Sequence, residues 1–148
     1  MSYTYEFPRP TVTADAIVFR KKGGKPEVLL VQRANSPFKG MWAIPGGFIE
    51  MDEPLETSAA RELEEETGIT GVELQQFHTY GDVDRDPRHR TITVAYTGML
   101  NDEGMNAKAN DDAADCRWFD IELIPQLGFD HNTIIADAII FGKEKQWF

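Results

Sequence analysis

Two hydrophobic spacings divide this chain. From Thr11 to Arg20, TVTADAIVFR is β-branched or apolar with a two-residue alternation, which predicts a strand. Lys21-Lys22-Gly23-Gly24-Lys25-Pro26 is a turn, and Glu27 to Arg33, EVLLVQR, is a second strand, so the pair forms an antiparallel hairpin. Asn35 to Met41 is a loop. Trp42 to Phe48 is a short strand ending in a double glycine. Val72 to Tyr80, Arg90 to Leu100 and Asp115 to Phe119 are further strands, separated by the charged loop Gly81 to His89 and the acidic loop Asn101 to Ala114. A helical spacing takes over in two places. Behind Pro54, Ala59, Ala60 and Leu63 share a face, and Gly68 stops the helix. From Asp130 or Asn132 through about Phe141, Ile134, Ile135, Ala138 and Ile139 point inward, and Gly142 ends the helix. Residues 1–10 form an arm in which Tyr3, Tyr5 and Phe7 alternate and Pro8 and Pro10 forbid a helix. The arm is expected either to cover the core as an edge strand or to offer its rings to a second subunit or a base. Strands around two helices in this order predict an α/β chain, a mixed sheet with helices on both faces.

The first helix carries the chemistry. Arg61-Glu62-Leu63-Glu64-Glu65-Glu66 places Glu62, Glu65 and Glu66 at i, i+3 and i+4, on one face, while Glu64 points away to the surface. Three like charges there repel. Either the face is simply solvated, or a divalent cation with a preference for oxygen ligands compensates it. The surroundings favour the cation. Gly46-Gly47 precedes the helix and lets backbone approach a ligand, and Glu53 stands at the helix start. Arg61, about 100° from Glu62 on the helix, is better placed to hold Glu53 or a neighbouring carboxylate than to bind phosphate.

Gly47, five residues, Glu53, seven residues, then Arg61-Glu62-Leu63-x-Glu65-Glu66-x-Gly68-Ile69 resembles the signature of the Nudix hydrolases at every defined position. A chance match is on the order of 10⁻⁹ per start position. The resemblance implies a Nudix α/β/α sandwich and a metal-assisted attack of water on phosphorus. It implies Mg²⁺, with Mn²⁺ as a substitute, held by Glu62, Glu65, Glu66 and the Gly47 carbonyl, with Arg61 and Glu53 orienting the ligands. A further acid from a late loop serves such enzymes as base or extra ligand. Asp111 and Asp112 are the candidates, Asp112 foremost.

Outside that box, Phe7 to Asp15, Tyr80-Gly81-Asp82 with Asp84 to Arg88, and Trp118-Phe119 with Phe129-Asp130-His131 resemble Nudix enzymes of the ADP-ribose pyrophosphatase subgroup. The same segments are shared with Nudix-related transcription regulators that sense ADP-ribose. The implied substrate is a nucleoside diphosphate linked to another moiety, ADP-ribose giving AMP and ribose 5-phosphate. A nucleoside triphosphate pyrophosphatase and an ADP-ribose-sensing module are the alternatives. Arg85, Arg88 and Arg90 concentrate positive charge in one loop. They either clamp phosphate or pair with Asp82, Asp84 and Asp86. His78, His89 and His131 lack metal-ligand spacing and are structural, and Trp42, Trp118 and Phe19 either stack on adenine or, as is usual for strand aromatics, belong to the core.

Composition narrows the partners. At 148 residues and a net charge of −10, the chain is expected to be one domain, residues 1–148, with no affinity for nucleic acid or an anionic membrane. A single cysteine, Cys116, excludes an internal disulfide and suits the cytoplasm. No apolar run reaches 18 residues and the N-terminus lacks an apolar signal core. The aromatic arm and family habit suggest a homodimer.

Overall fold

The computed structural model describes residues 2–101, 106–108 and 113–148. Its strands are β1 (Thr11–Lys22), β2 (Lys25–Arg33), β3 (Trp42–Ala43), β4 (Gly46–Phe48), β5 (Gln75–Tyr80), β6 (Thr91–Met99) and β7 (Ala113–Asp120). Its helices are α1 (Leu55–Thr67) and α2 (His131–Glu144). The described strands form one sheet in the order β3-β2-β1-β6-β5, with β4 on β1 and β7 on β2. β1 and β6 run parallel and the other pairs antiparallel, so the sheet is mixed.

The alternation of β1 sorts its side chains between two helices. Ile17 and Phe19, with Val28 and Leu30 of β2, pack under Ile134, Ile135 and Ala138 of α2. Ala16 and Val18, with Leu29, pack under Leu63 of α1, and Ala14 meets Ala59. A helix on each face of a mixed sheet is the α/β/α arrangement expected. Gly68, at φ 74°, closes α1 with its N–H on the Glu64 carbonyl at 2.8 Å, so the left-handed stop read from the sequence is present.

Four local expectations are corrected. Trp42 to Phe48 is two short strands, because Pro45 has no N–H for a ladder and instead gives its carbonyl to the Ala16 N–H at 2.9 Å. β5 starts at Gln75 rather than Val72, since Val72 and Leu74 pack on the α1-side core without joining the ladder. Gly142 does not end α2, which runs on to Glu144. The glycine is needed for close packing, as a Cβ there would lie 2.7 Å from the Phe148 ring. Residues 2–10 join no strand. Tyr3, Tyr5 and Phe7 are exposed, with Arg9 stacked over the Tyr5 ring.

Candidate active site

The start of β1, the ends of β2, β4 and α1, and the segments around residues 85–93 and 129–131 enclose a cavity of about 880 Å³. One wall is acidic: Gly46, Gly47, Glu50, Glu62, Glu65 and Glu66. The other carries Arg33, Arg85, Asp86 and Arg88 with the rings of Phe48 and Phe129. Thr13, Asp15, Thr93 and His131 lie between them.

The acidic wall follows from helix periodicity. Arg61 organises it: Nε donates to both oxygens of Glu53 at 3.0 Å, and Nη1 donates to Glu62 at 2.9 Å and Glu65 at 3.1 Å. Glu53 makes no N-terminal cap. It accepts from Ser58 Oγ at 2.8 Å, and the Ser58 and Arg61 hydrogen bonds hold its carboxyl below the usual range. The Arg61–Glu53 pairing expected from the helical wheel is therefore present, and Arg61 reaches Glu62 and Glu65 as well. Glu64 is exposed, as read.

Glu66 lies deeper and accepts the Gly46 N–H at 2.8 Å. Burial nevertheless pushes its pKa up to about 8, with Glu62 and Asp15 adding repulsion. Burial likewise raises Asp15 to about 7, against the pull of Arg85, and raises Glu62. The double glycine is what lets backbone and carboxylates approach. A Cβ at Gly47 would lie 2.7–2.8 Å from the Glu62 carboxylate, and one at Gly46 would run into the Asp15 carboxylate.

This donor set fits a hard divalent cation. Three carboxylates from one helix line the cavity with the glycine backbone, and two buried acids there have raised pKa values and, among the described residues, no Arg or Lys within salt-bridge distance. Among the described residues no three acidic, imidazole or thiol groups stand ready as a metal cage. Arg61 draws off Glu62 and Glu65, and Gly46 occupies Glu66. Asp111 and Asp112 lie outside the described residues.

The arginine loop resolves differently for each member. Arg85 is almost fully buried. It makes a two-point pair with Asp130, at 2.9 and 2.6 Å, and gives Nη1 to Thr93 at 2.7 Å, so those three nitrogens are already engaged. Arg88 pairs with Asp86, one of the loop acids named as its alternative partner, at 2.7 Å, and its guanidinium also lies 5.4 Å from the rings of Phe48 and Phe129. Arg90 is exposed and does not line the cavity.

Phe129 and Asp15 were named in the sequence only within segments that carry the family resemblance, with no site role. Phe129 is held at φ 55° and presents its ring between Arg33 and Arg88. Asp15 lies 3.6 Å from His131, whose Nδ1 accepts the Ile44 N–H at 3.0 Å. Burial pushes His131 down to about 3, so the ring is neutral and structural. The rings considered for base stacking are elsewhere: Phe19 sits against Phe148, Trp42 against Phe119, and Trp118 under Arg20.

Comparison with known proteins places this geometry. The NUDIX domain model matches residues 9–138. An ADP-ribose pyrophosphatase of Methanocaldococcus jannaschii is 41% identical over 128 residues, covering 86% of this chain and 72% of that protein. The ADPR responsive transcriptional repressor NtrR of Acinetobacter baylyi is 35% identical over 137 residues, covering 90% of this chain and 54% of the repressor. The NUDIX domain of Shewanella oneidensis NrtR, solved in complex with ADP ribose, superposes with a TM-score of 0.83 at 35% identity. That match covers 89% of this chain and 88% of the domain. No described helix is long and apolar enough to cross a membrane.

Proposed function

The chain belongs to the NUDIX family, and on that premise we propose that it hydrolyses a nucleoside diphosphate linked to a second moiety, with ADP-ribose cleaved to AMP and ribose 5-phosphate. The observation that carries this reading is a cavity lined both by the carboxylates of α1 and by guanidinium and aromatic groups. A diphosphate flanked by a nucleoside and a sugar matches both walls. The pyrophosphatase and ADP-ribose-bound relatives support the choice of substrate.

Mg²⁺, with Mn²⁺ as a substitute, is the cation the donors suit, and it would neutralise phosphate oxygens and lower the pKa of the attacking water. Glu62, Glu65, Glu66 and the Gly47 carbonyl would hold it. Arg61, held by Glu53, keeps Glu62 and Glu65 side by side and so sets their orientation before substrate arrives. Glu65 is the most accessible of the three, at 45% side-chain exposure against 15% for Glu62, so it is open to receive a proton from water. Asp112 is retained as the loop base. Water adds to one phosphorus as the bridging P–O bond breaks, leaving a phosphate monoester on each product.

A second reading is favoured by one observation: the repressor NtrR aligns over 90% of this chain. A sensing module would bind ADP-ribose without turning it over. The carboxylates Glu62, Glu65 and Glu66 are all in place here, which supports the enzyme. The test is a substrate panel with Mg²⁺, comparing the wild type with Glu65→Gln. Glu65-dependent release of AMP from ADP-ribose is the expected result. Release of pyrophosphate from nucleoside triphosphates alone would make the protein a nucleotide-sanitising enzyme. Binding of ADP-ribose without any product would make it a sensor.

A further inference from the structure

We infer that Phe38, which lies outside the cavity lining, is a positioning residue of the substrate site and acts through the ring of Phe129. The inference deepens the proposed function and rests on it. Among the described residues three non-glycine positions hold a left-handed φ: Phe38 at 60°, Phe129 at 55° and Gln146 at 59°. A bulky side chain takes that conformation at a cost, and only where its surroundings enforce it. The first two touch. The Phe38 and Phe129 rings meet edge to face with their centroids 4.8 Å apart, although they come from loops far apart in the chain.

Each backbone is pinned separately. The Phe38 carbonyl accepts the Met41 N–H at 3.0 Å, and the same loop is closed by two hydrogen bonds of 2.9 Å from Arg33 to Met41 and from Gly40 to Arg33. Around Phe129, the Gly128 N–H donates to the Trp42 carbonyl at 3.0 Å and the His131 N–H donates to the Gly128 carbonyl at 3.2 Å, while Arg85 clasps the Asp130 carboxylate. These bonds fix the backbone of Phe129 and leave its side-chain torsions open. Phe38 supplies the wall against which the ring rests. Gly128 lets that wall come close, since a Cβ there would lie 3.0 Å from the Phe38 Cβ and 3.1 Å from its Cγ.

The ring held in this way lines the cavity. Its centre stands 5.0 Å from Cζ of Arg33, 5.4 Å from Cζ of Arg88 and 5.2 Å from the His131 ring. Two like charges share one aromatic neighbour, so a rotation of Phe129 changes where both can rest. A substrate that enters meets a ring already set, and the cost of ordering a free ring on binding is avoided. Loss of Phe38 should therefore weaken substrate binding and leave the chemical step on α1 unchanged.

The test uses the full chain in two forms. One carries para-fluorophenylalanine at position 129 for fluorine NMR without substrate, and the other is unlabelled, with Mg²⁺, for ADP-ribose kinetics. Phe38→Asn removes the ring but tolerates a left-handed backbone, Phe38→Tyr keeps the ring, and Lys39→Gln at the exposed neighbour is the control. Expected for Phe38→Asn are a displaced, broadened fluorine line and a KM raised roughly 3- to 30-fold with kcat within about twofold. Phe38→Tyr should restore both. Thermal melting reports the folded fraction. Gly128→Ala crowds Phe38 without deleting a ring, should displace the same line, and carries the test if Phe38→Asn does not fold. An unmoved line in folded Phe38→Asn or Gly128→Ala protein would overturn the inference. So would activity that falls only in step with the folded fraction at an unchanged KM, which is what a merely structural ring would give. A displaced line in a protein whose wild type turns over no ADP-ribose would keep Phe38 as the residue that sets Phe129 and discard ADP-ribose as substrate.

Discussion

Glu66→Gln removes a charge while keeping a shape. The amide oxygen can still accept the Gly46 N–H, so the backbone contact at 2.8 Å is preserved. What disappears is a buried carboxylate whose pKa stands at about 8 against an ordinary 4.5. The sign follows from proton binding. In the cation-free protein the folded state holds this proton to higher pH than the unfolded chain does. Stability is therefore greatest below pH 4.5, falls as pH rises through the interval, and is fully reduced above pH 8. At about 1.4 kcal/mol per pH unit, the gap between 4.5 and about 8 caps the penalty at about 5 kcal/mol. Side-chain relaxation and water entry reduce it to on the order of 2 kcal/mol. Asp15, raised to about 7, slopes in the same direction, so the wild-type profile contains both acids and only the difference between proteins isolates Glu66. The assay is urea unfolding with a chelator at pH 5, 7 and 9. The two proteins should nearly coincide at pH 5, and the variant should be more stable by about 2 kcal/mol at pH 9. Adding Mg²⁺ should restore the wild type, by about 2.7 kcal/mol at a hundred times Kd, and do little for the variant. The variant should also lose nearly all turnover. Parallel pH profiles for the two proteins would refute the argument that Glu66 is a buried, uncompensated charge.

Four further outcomes are expected. Gly47→Ala places a Cβ against the movable end of Glu62 and should cost less than about 1 kcal/mol while lowering kcat more than tenfold. Gly46→Ala meets the buried Asp15 carboxylate and, at 2.8 Å, the Ala14 carbonyl, and should cost about 1–3 kcal/mol in urea unfolding. Arg85→Met leaves Asp130 without its partner and should cost roughly 3–5 kcal/mol, whereas Arg90→Gln at the surface should stay within about 0.5 kcal/mol, both read from denaturation midpoints. Arg61→Lys keeps the charge but cannot hold Glu53, Glu62 and Glu65 together. Its kcat/KM should fall roughly 10- to 100-fold with a melting temperature near that of the wild type.

The parts of this site that could be read in the sequence are those set by local periodicity. Helix spacing alone puts Glu62, Glu65 and Glu66 on one face and Arg61 toward Glu53, and Gly68 marks the stop. Strand alternation likewise separates Ile17 and Phe19 from Ala16 and Val18. The opposite wall depends on contacts between residues far apart in the chain. Arg85 has acids at positions 82, 84 and 86 beside it, yet its guanidinium is held by Asp130, 45 residues on, and by Thr93. No local spacing reports that pairing. Arg33 looked like the polar end of a strand until Pro37, Met41 and Phe129 were seen to hold it. Gly142 misled for a related reason. It was read by its effect on its own segment, whereas a partner elsewhere, Phe148, decides its place.

The two walls differ in how far their charges are already neutralised. On the α2 side, Arg85 and Asp130 close on each other, Arg88 closes on Asp86, and His131 is kept neutral by burial. On the α1 side, a single guanidinium, Arg61, serves Glu53, Glu62 and Glu65, while Glu66 and Asp15 have no cation within salt-bridge distance except a neutral imidazole beside Asp15. A protein of net charge −10 gathers buried acids here, against the glycine pair that lets a ligand approach. The crowding of these carboxylates makes the acidic wall a poor site for a phosphate by itself. It suits the same wall to a hard divalent cation.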